Sequence, residues 1–380
     1  MMQKLTPAKK LRFVTTNCRP STQLFAGNWQ SDQCSLHKAT EDLNVFKVIF
    51  GNWIINSTTD AGTGGTMMIE ASIEYPAGVL KRITFNGGNN SEIVANGANT
   101  NADFISVDIP KNAIFGVRAF ATFSAALAGG TVNTIATYNA FTAGATNNNT
   151  GTGVSNIMNP IPSPTYNVAG VPVGVLGIVA YTDNPAFLLC GDSITQGNGT
   201  DTADTTFLYG QAERSVEWGF SNVGLGGEGI AGAITASLKR GGLFQYASDV
   251  YVNYGTNDWA GGAAGSTIIA NLNTYLSNYC NNHNIHVATL IPSYVTGIFS
   301  TEVGQVLNAN NQKRRDFNNL LLSGGILRKH RIVDLNAITA NSYDGSLWKA
   351  FPTPITTDGT HPNQIGCNYI ASKVNLKAGH

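Results

Sequence analysis

The chain has 380 residues, with 23 basic against 23 acidic side chains and only 12% of its residues charged. That balance leaves no basic field to hold nucleic acid and no polybasic segment to meet anionic lipid. No stretch approaches the roughly 18 continuous apolar residues of a membrane span, while the length suggests two domains.

Residues 1–20 are basic and polar and lack an apolar h-region, so they do not read as a signal peptide. Five cysteines (Cys18, Cys34, Cys190, Cys280 and Cys367) are widely spaced without a Cys-x-x-Cys. The odd number argues against a disulfide framework, although Cys18 and Cys34 have the opportunity to pair in an oxidising compartment. Cys190 ends an apolar run and reads as a small buried hydrophobe.

Residues 1–182 are expected to be β structure. The runs 44–50, 66–75, 104–109 and 115–123 read as strands: several of them alternate apolar with polar, and Gly/Asn/Pro clusters separate them. Many short strands without a helical period suggest a sandwich or jelly roll. The tract 145–164, rich in Asn, Thr, Gly and Pro, reads as a long loop.

From about residue 183 to the end at 380 the pattern changes. Runs 187–190, 250–254, 287–291 and 331–335 look like buried strands. Between the later ones, Ile268, Ile269, Leu272, Tyr275, Leu276 and Tyr279 fall three and four apart, the period of one helix face, and 306–322 is similar. Strands alternating with helices imply an α/β fold, a parallel sheet covered on both faces. Such a sheet places its site at the carboxyl ends of its strands.

Two short motifs fall at such ends: Gly191-Asp192-Ser193-Ile194 and Gly255-Thr256-Asn257-Asp258. A Gly-rich turn, Asn222-Val223-Gly224-Leu225-Gly226-Gly227, lies between them, and Asp358-Gly359-Thr360-His361 follows near the C-terminus. Together they supply the parts of serine-based acyl transfer. A Ser hydroxyl needs a base to take its proton, the base needs an orienting carboxylate, and the oxyanion needs donors. Each part also has a plainer reading. Ser193 suits a helix N-cap, Asp358 to His361 is strong turn chemistry, and Asn257 suits a cap or loop-holding role. Asp192 and Asp258 read as loop-stabilising acceptors. Among the other histidines, His283 and His286 have no carboxylate near them in sequence and His380 is terminal. His37 and His330 have Glu41 and Asp334 four residues on, outside any recognisable block.

These four ordered blocks resemble the SGNH (GDSL-type) hydrolases, a superfamily named for Ser, Gly, Asn and His in four separated blocks. The resemblance covers roughly residues 185–380, and its first block reads Gly-Asp-Ser-Ile rather than Gly-Asp-Ser-Leu. It implies a three-layer fold over residues 183–380, with Ser193 as nucleophile, His361 as general base and Asp358 as its orienting acid. The oxyanion hole would combine the Ser193 N–H, the Gly227 N–H and the Asn257 amide. An N-terminal β-sandwich joined to such a domain is similar to carbohydrate acetylesterases, and implies acylated carbohydrate as substrate and no cofactor or metal. Residues 1–182 then read as an accessory, glycan-facing module, extracellular or virion-associated. Trp259, next to the Asn257 block, would wall an acyl pocket, stack on a sugar, or lie in the core. Trp29, Trp53, Trp218 and Trp348 have no positional argument.

Gly224-Leu225-Gly226-Gly227-Glu228-Gly229 also satisfies the dinucleotide-binding pattern Gly-x-Gly-x-x-Gly. Residues 218–223 make a poor strand, however, and such six-residue matches are frequent in a chain with 42 glycines. No Gly-x-Ser-x-Gly elbow occurs, which argues against an α/β-hydrolase. A lipolytic esterase or thioesterase, and a non-catalytic glycan-binding or structural protein, are the alternatives.

Overall fold

A computed structural model of the chain describes residues 9–20, 30–55, 59–124, 147–148, 157–158, 173–199, 208–341, 345–350, 353–374 and 376. Trp29, His380 and nearly all of the 145–164 tract lie outside these residues.

Two antiparallel sheets fill the first part. One runs in the order Lys10–Phe13, Val175–Thr182, Leu43–Phe50, Ile105–Ile109. The other centres on Ile114–Phe123, flanked by Gln30–Lys38 and Met67–Glu74, with Leu80–Ile83 and Glu92–Val94 both pairing to Met67–Glu74. Alternation in the sequence explains the packing. Phe46, Val48 and Phe50 from one sheet meet Met67, Ile69, Ala71 and Ile73 from the other in one hydrophobic core.

The second part holds a parallel five-stranded sheet in the order Gly219–Asn222, Ala186–Gly191, Asp249–Asn253, Asn284–Ala288, Arg331–Val333. Numbered along the chain this order is 2-1-3-4-5. Its direction of progression reverses between the strands Ala186–Gly191 and Asp249–Asn253, which opens a crevice at their carboxyl ends. Helices Gly265–Tyr279 and Asn311–Leu322 pack on each other, the former burying Ile268, Leu272, Tyr275 and Leu276. No helix among the described residues is long and apolar enough to cross a membrane.

The structure corrects several expectations. Residues 218–223 do contain a strand, Gly219–Asn222, every residue of it buried. Its polar side chains are served by partners outside the strand: Ser221 Oγ donates to the Cys18 carbonyl, 203 residues away, and Asn222 Nδ2 to Glu213. The strand expected at 287–291 begins three residues earlier and ends at Ala288. The helix expected from 306 begins at Asn311, because Gln305–Val306 pairs with Thr296–Gly297 in a hairpin. Arg331–Val333 stops short because Asp334 caps the helix Leu335–Thr339. Cys18 and Cys34 are both buried and are not joined in a disulfide.

The two parts are not separated at residue 182 by solvent. Phe220 N donates to the Thr15 carbonyl and Asn222 N to the Cys18 carbonyl, so residues 15–18 extend the edge of the parallel sheet. One core cluster joins Phe13, Ile49, Trp53, Leu176 and Val179 to Leu188, Val250 and Val252.

Candidate active site

The strand Ala186–Gly191 delivers the chain into the crevice, and Asp192 turns it into the short helix Ser193–Gln196. Asp192 caps that helix by accepting from Ile194 N at 3.0 Å, and its other oxygen accepts from Thr256 N at 3.3 Å. One carboxylate thus ties the Ser193 block to the Asn257 block. Burial pushes the Asp192 carboxyl up to about 6, partly offset by its backbone hydrogen bonds.

Ser193 is buried, and its Oγ lies 2.9 Å from Nε2 of His361. The other ring nitrogen, Nδ1, is 2.7 Å from Asp358 Oδ2. With the Nδ1 proton directed at Asp358, Nε2 is left to accept from the serine hydroxyl. Asp358 Oδ1 also accepts from the backbone N–H groups of Thr360 and His361, both at 2.8 Å. Partial burial pushes the Asp358 carboxyl up, but these bonds outweigh it and hold the group well below the usual carboxylate range. Residues 168 apart are therefore joined in one hydrogen-bonded row.

The loop between Asn222 and Ile230 bonds to the Ser193 block, Gly226 N to Gln196 Oε1 and Leu225 N to the Gly191 carbonyl. Its backbone donors are largely occupied, with Gly224 N also taken by Asn222 Oδ1 and Glu228 N by the Leu225 carbonyl. This occupancy removes the phosphate cradle that Gly-x-Gly-x-x-Gly would require, even though a strand precedes the loop. Among the described residues, the N–H groups of Ser193 and Gly227 meet no protein acceptor. Gly227 is exposed with φ +80°, a left-handed conformation suited to glycine. Asp258 accepts from Ile230 N at 2.9 Å and holds the start of the helix Ile230–Ala236.

Asn257 sits on the helix Thr256–Ala260 at the end of the third sequential parallel strand. Its Nδ2 donates to the Glu228 carbonyl at 3.0 Å and its Oδ1 accepts from Tyr294 Oη at 3.0 Å. Tyr294 is absent from every sequence block. It lies just beyond the strand Asn284–Ala288 with φ +53°, an outlier for a bulky residue. Its position past a parallel strand's carboxyl end was the available signal.

Trp259 does not face a ligand. It is fully buried in the core, and its ring stands edge-on to Tyr294 at 5.7 Å. The helix that presents Asn257 to the crevice turns Trp259 inward, so sugar stacking is withdrawn and the residue backs Tyr294 instead. Trp53 and Trp348 are likewise buried. His286, without a carboxylate near it in sequence, has one in space: Nε2 lies 3.0 Å from Asp249 Oδ1 on the neighbouring strand. Glu41 bonds Thr182, and Asp334 bonds Thr289, so neither serves the histidine four residues away.

No family model and no curated protein matches the chain. Solved structures that are similar to it include a member of the lipolytic G-D-S-L family from Veillonella parvula, at 19% identity and a TM-score of 0.35 over 50% of this chain and 94% of that one. Others are a lipase/acylhydrolase from Enterococcus faecalis, at 17% and 0.35 over 52% and 100%, and a psychrotrophic esterase from Pseudoalteromonas sp., at 16% and 0.32 over 50% and 94%. The C-terminal half of the chain resembles the SGNH (GDSL-type) hydrolases in its four ordered blocks. What those residues can do rests on their geometry.

Proposed function

We propose that residues 183–380 form a serine ester hydrolase of the SGNH type that works through an acyl-enzyme. The observation that carries this reading is the row from Ser193 Oγ through the His361 ring to Asp358, at 2.9 and 2.7 Å. Ser193 Oγ attacks the ester carbonyl while His361 Nε2 takes its proton, and Asp358 keeps the ring oriented as it becomes cationic. The carbonyl oxygen, now negative, is met by the N–H groups of Ser193 and Gly227 and by the Asn257 amide. Collapse expels the alcohol, which receives the proton from His361. Water then enters, gives its proton to the same nitrogen and releases the acid as Ser193 is restored.

The substrate we propose is an O-acetylated carbohydrate. The two antiparallel sheets of residues 1–182 are read as a sandwich, jelly-roll-like, that accompanies the hydrolase and faces glycan; the low charge of the chain suits such a surface. One observation favours a second reading. The hairpin of Thr296–Gly297 and Gln305–Val306 borders the histidine loop, Val295 N donating to the Gly359 carbonyl, and it exposes Ile298, Val303 and Val306. An apolar rim of this kind suits a longer acyl chain.

Ser193→Ala tests the mechanism with p-nitrophenyl acetate, where turnover is expected to fall by roughly 10⁴-fold or more. Undiminished turnover would remove Ser193 as nucleophile, and wild-type turnover no faster than the uncatalysed rate would favour a binding or structural protein. Acetate release from a panel of acetylated glycans is expected to exceed cleavage of p-nitrophenyl octanoate. The reverse order would select the lipolytic reading.

A further inference from the structure

The residues on either side of Gly227 are each anchored, and both anchors lead back to the first half of the chain. Gly226 N donates to Gln196 Oε1 at 2.7 Å, and the Gln196 carbonyl accepts from Arg19 Nη1 at 3.0 Å. Arg19 also pairs with the buried Glu213, whose carboxylate accepts from Asn222 Nδ2 at the start of the same loop. On the other side, both Glu228 carboxylate oxygens accept from the Arg240 guanidinium at 2.7 Å. Arg240 Nε in turn donates to Asp60 at 3.0 Å, and Asp60 takes the Arg240 backbone N–H as well. The carbonyl of Glu228 is the acceptor for the Asn257 amide. Asp60, Glu228 and Arg240 are all at least 95% buried, and Arg19 is 7% exposed.

We propose that Arg19 and Asp60 are positioning residues for the oxyanion hole, so that the β-rich first half completes the hydrolase site from behind. This rests on the esterase reading of that site. Neither residue touches the crevice; each acts through one intermediary, Gln196 or Arg240. Two features argue against mere adhesion between the halves. Ion pairs that only hold two surfaces together have no reason to converge on one short loop. Here separate networks, rooted 41 residues apart in sequence, grip the two neighbours of a single glycine. The other feature is the desolvation cost of burying these charges, which only well-placed partners offset. A guanidinium fixes geometry through its planar fork, which a lysine cannot reproduce.

The test uses the full chain, with Asp60→Asn and Arg19→Lys made separately and assayed on p-nitrophenyl acetate beside wild type and Ser193→Ala. Asp60→Asn keeps the shape but weakens the grip on Arg240. Arg19→Lys keeps the charge but cannot reach Glu213 and the Gln196 carbonyl together. For each folded variant, kcat is expected to fall by about 10-fold or more, with KM within about twofold and the midpoint of the pH profile unmoved. Weakened donors to the oxyanion lower the rate at every pH, whereas a disturbed His361 shifts the profile. A folded variant with kcat within about twofold of wild type, or with the pH midpoint displaced, overturns the assignment for that residue. Should one variant not fold, the other decides. Should neither fold, the contacts serve the fold as a whole and the positioning role is withdrawn. Failure of the esterase reading shows differently, as wild-type turnover in Ser193→Ala whatever the other two variants do.

Discussion

Asn257 carries both a donor and an acceptor on one amide, and only the donor end suits an oxyanion. Rotation by 180° would aim the wrong atom at the developing charge. The structure holds the amide at both ends: the Glu228 carbonyl, an acceptor only, requires Nδ2, and the Tyr294 hydroxyl donates to Oδ1 in the orientation this sets. Tyr294→Phe removes the second constraint while keeping the edge-on contact with Trp259. A neutral hydrogen bond is worth about 0.5–1.5 kcal/mol, so kcat is expected to fall by roughly 2- to 12-fold with KM unchanged. Asn257→Ala, which deletes the donor itself, should cost on the order of 10²–10³. Steady-state kinetics on a single ester settle the comparison; equal losses would mean that Tyr294 is indispensable to the amide, and no loss that Glu228 orients it alone. Ser193, Asp358 and His361, which meet in one hydrogen-bonded row, were legible because each sits in a short local motif. Tyr294 carries no motif, since its role depends on a partner 37 residues away and on a backbone conformation that no pattern announces.

The turn from Thr356 to His361 is held as a unit, and its most constrained member is Gly359. Gly359 has φ +73°, and a Cβ there would lie 1.8 Å from the Val295 carbonyl oxygen. The Gly359 carbonyl accepts from Trp348 Nε1 and from Val295 N, both at 3.0 Å. Gly359→Ala must therefore push the turn off the 294–295 segment and carry His361 with it. A displacement near 1 Å at a reacting group costs on the order of 10² in rate, and kcat/KM is expected to fall at least that far. Wild-type kinetics in this variant would show that the His361 ring holds its place independently of the turn. Legibility differs among elements for a related reason. Leu43–Phe50, Met67–Glu74, Ile114–Phe123 and Gly265–Tyr279 were readable because each carries its own periodicity over eight residues or more. Gly219–Asn222 was not, because four residues hold no period and its buried polar side chains are satisfied by tertiary partners, the Cys18 carbonyl for Ser221 and Glu213 with the Thr195 carbonyl for Asn222.

Across the whole molecule, a change of pattern near residue 183 marks where antiparallel pairing gives way to parallel, but it does not mark an independent unit. Residues 10–18 belong to both sides. Lys10–Phe13 pairs with Val175–Thr182, and a few residues later the chain bonds to the edge of the parallel sheet. Phe13 is the pivot. Its ring lies edge-on to Tyr246 at 5.8 Å, and a Cβ on Gly177 would come within 2.6 Å of it. The Phe13 carbonyl approaches Gly219 so closely that a Cβ there would lie at 2.1 Å. A core shared in this way couples the stabilities of its two sides, because neither can open without exposing the other's apolar surface. The chain is accordingly expected to unfold in one calorimetric transition, with calorimetric and van't Hoff enthalpies equal. Phe13→Ala, which empties a fully buried aromatic site, should destabilise that single transition by about 3–5 kcal/mol. Two resolved transitions, with only the one belonging to the antiparallel sheets moved by the substitution, would show that the halves fold separately and that the shared cluster is contact without coupling.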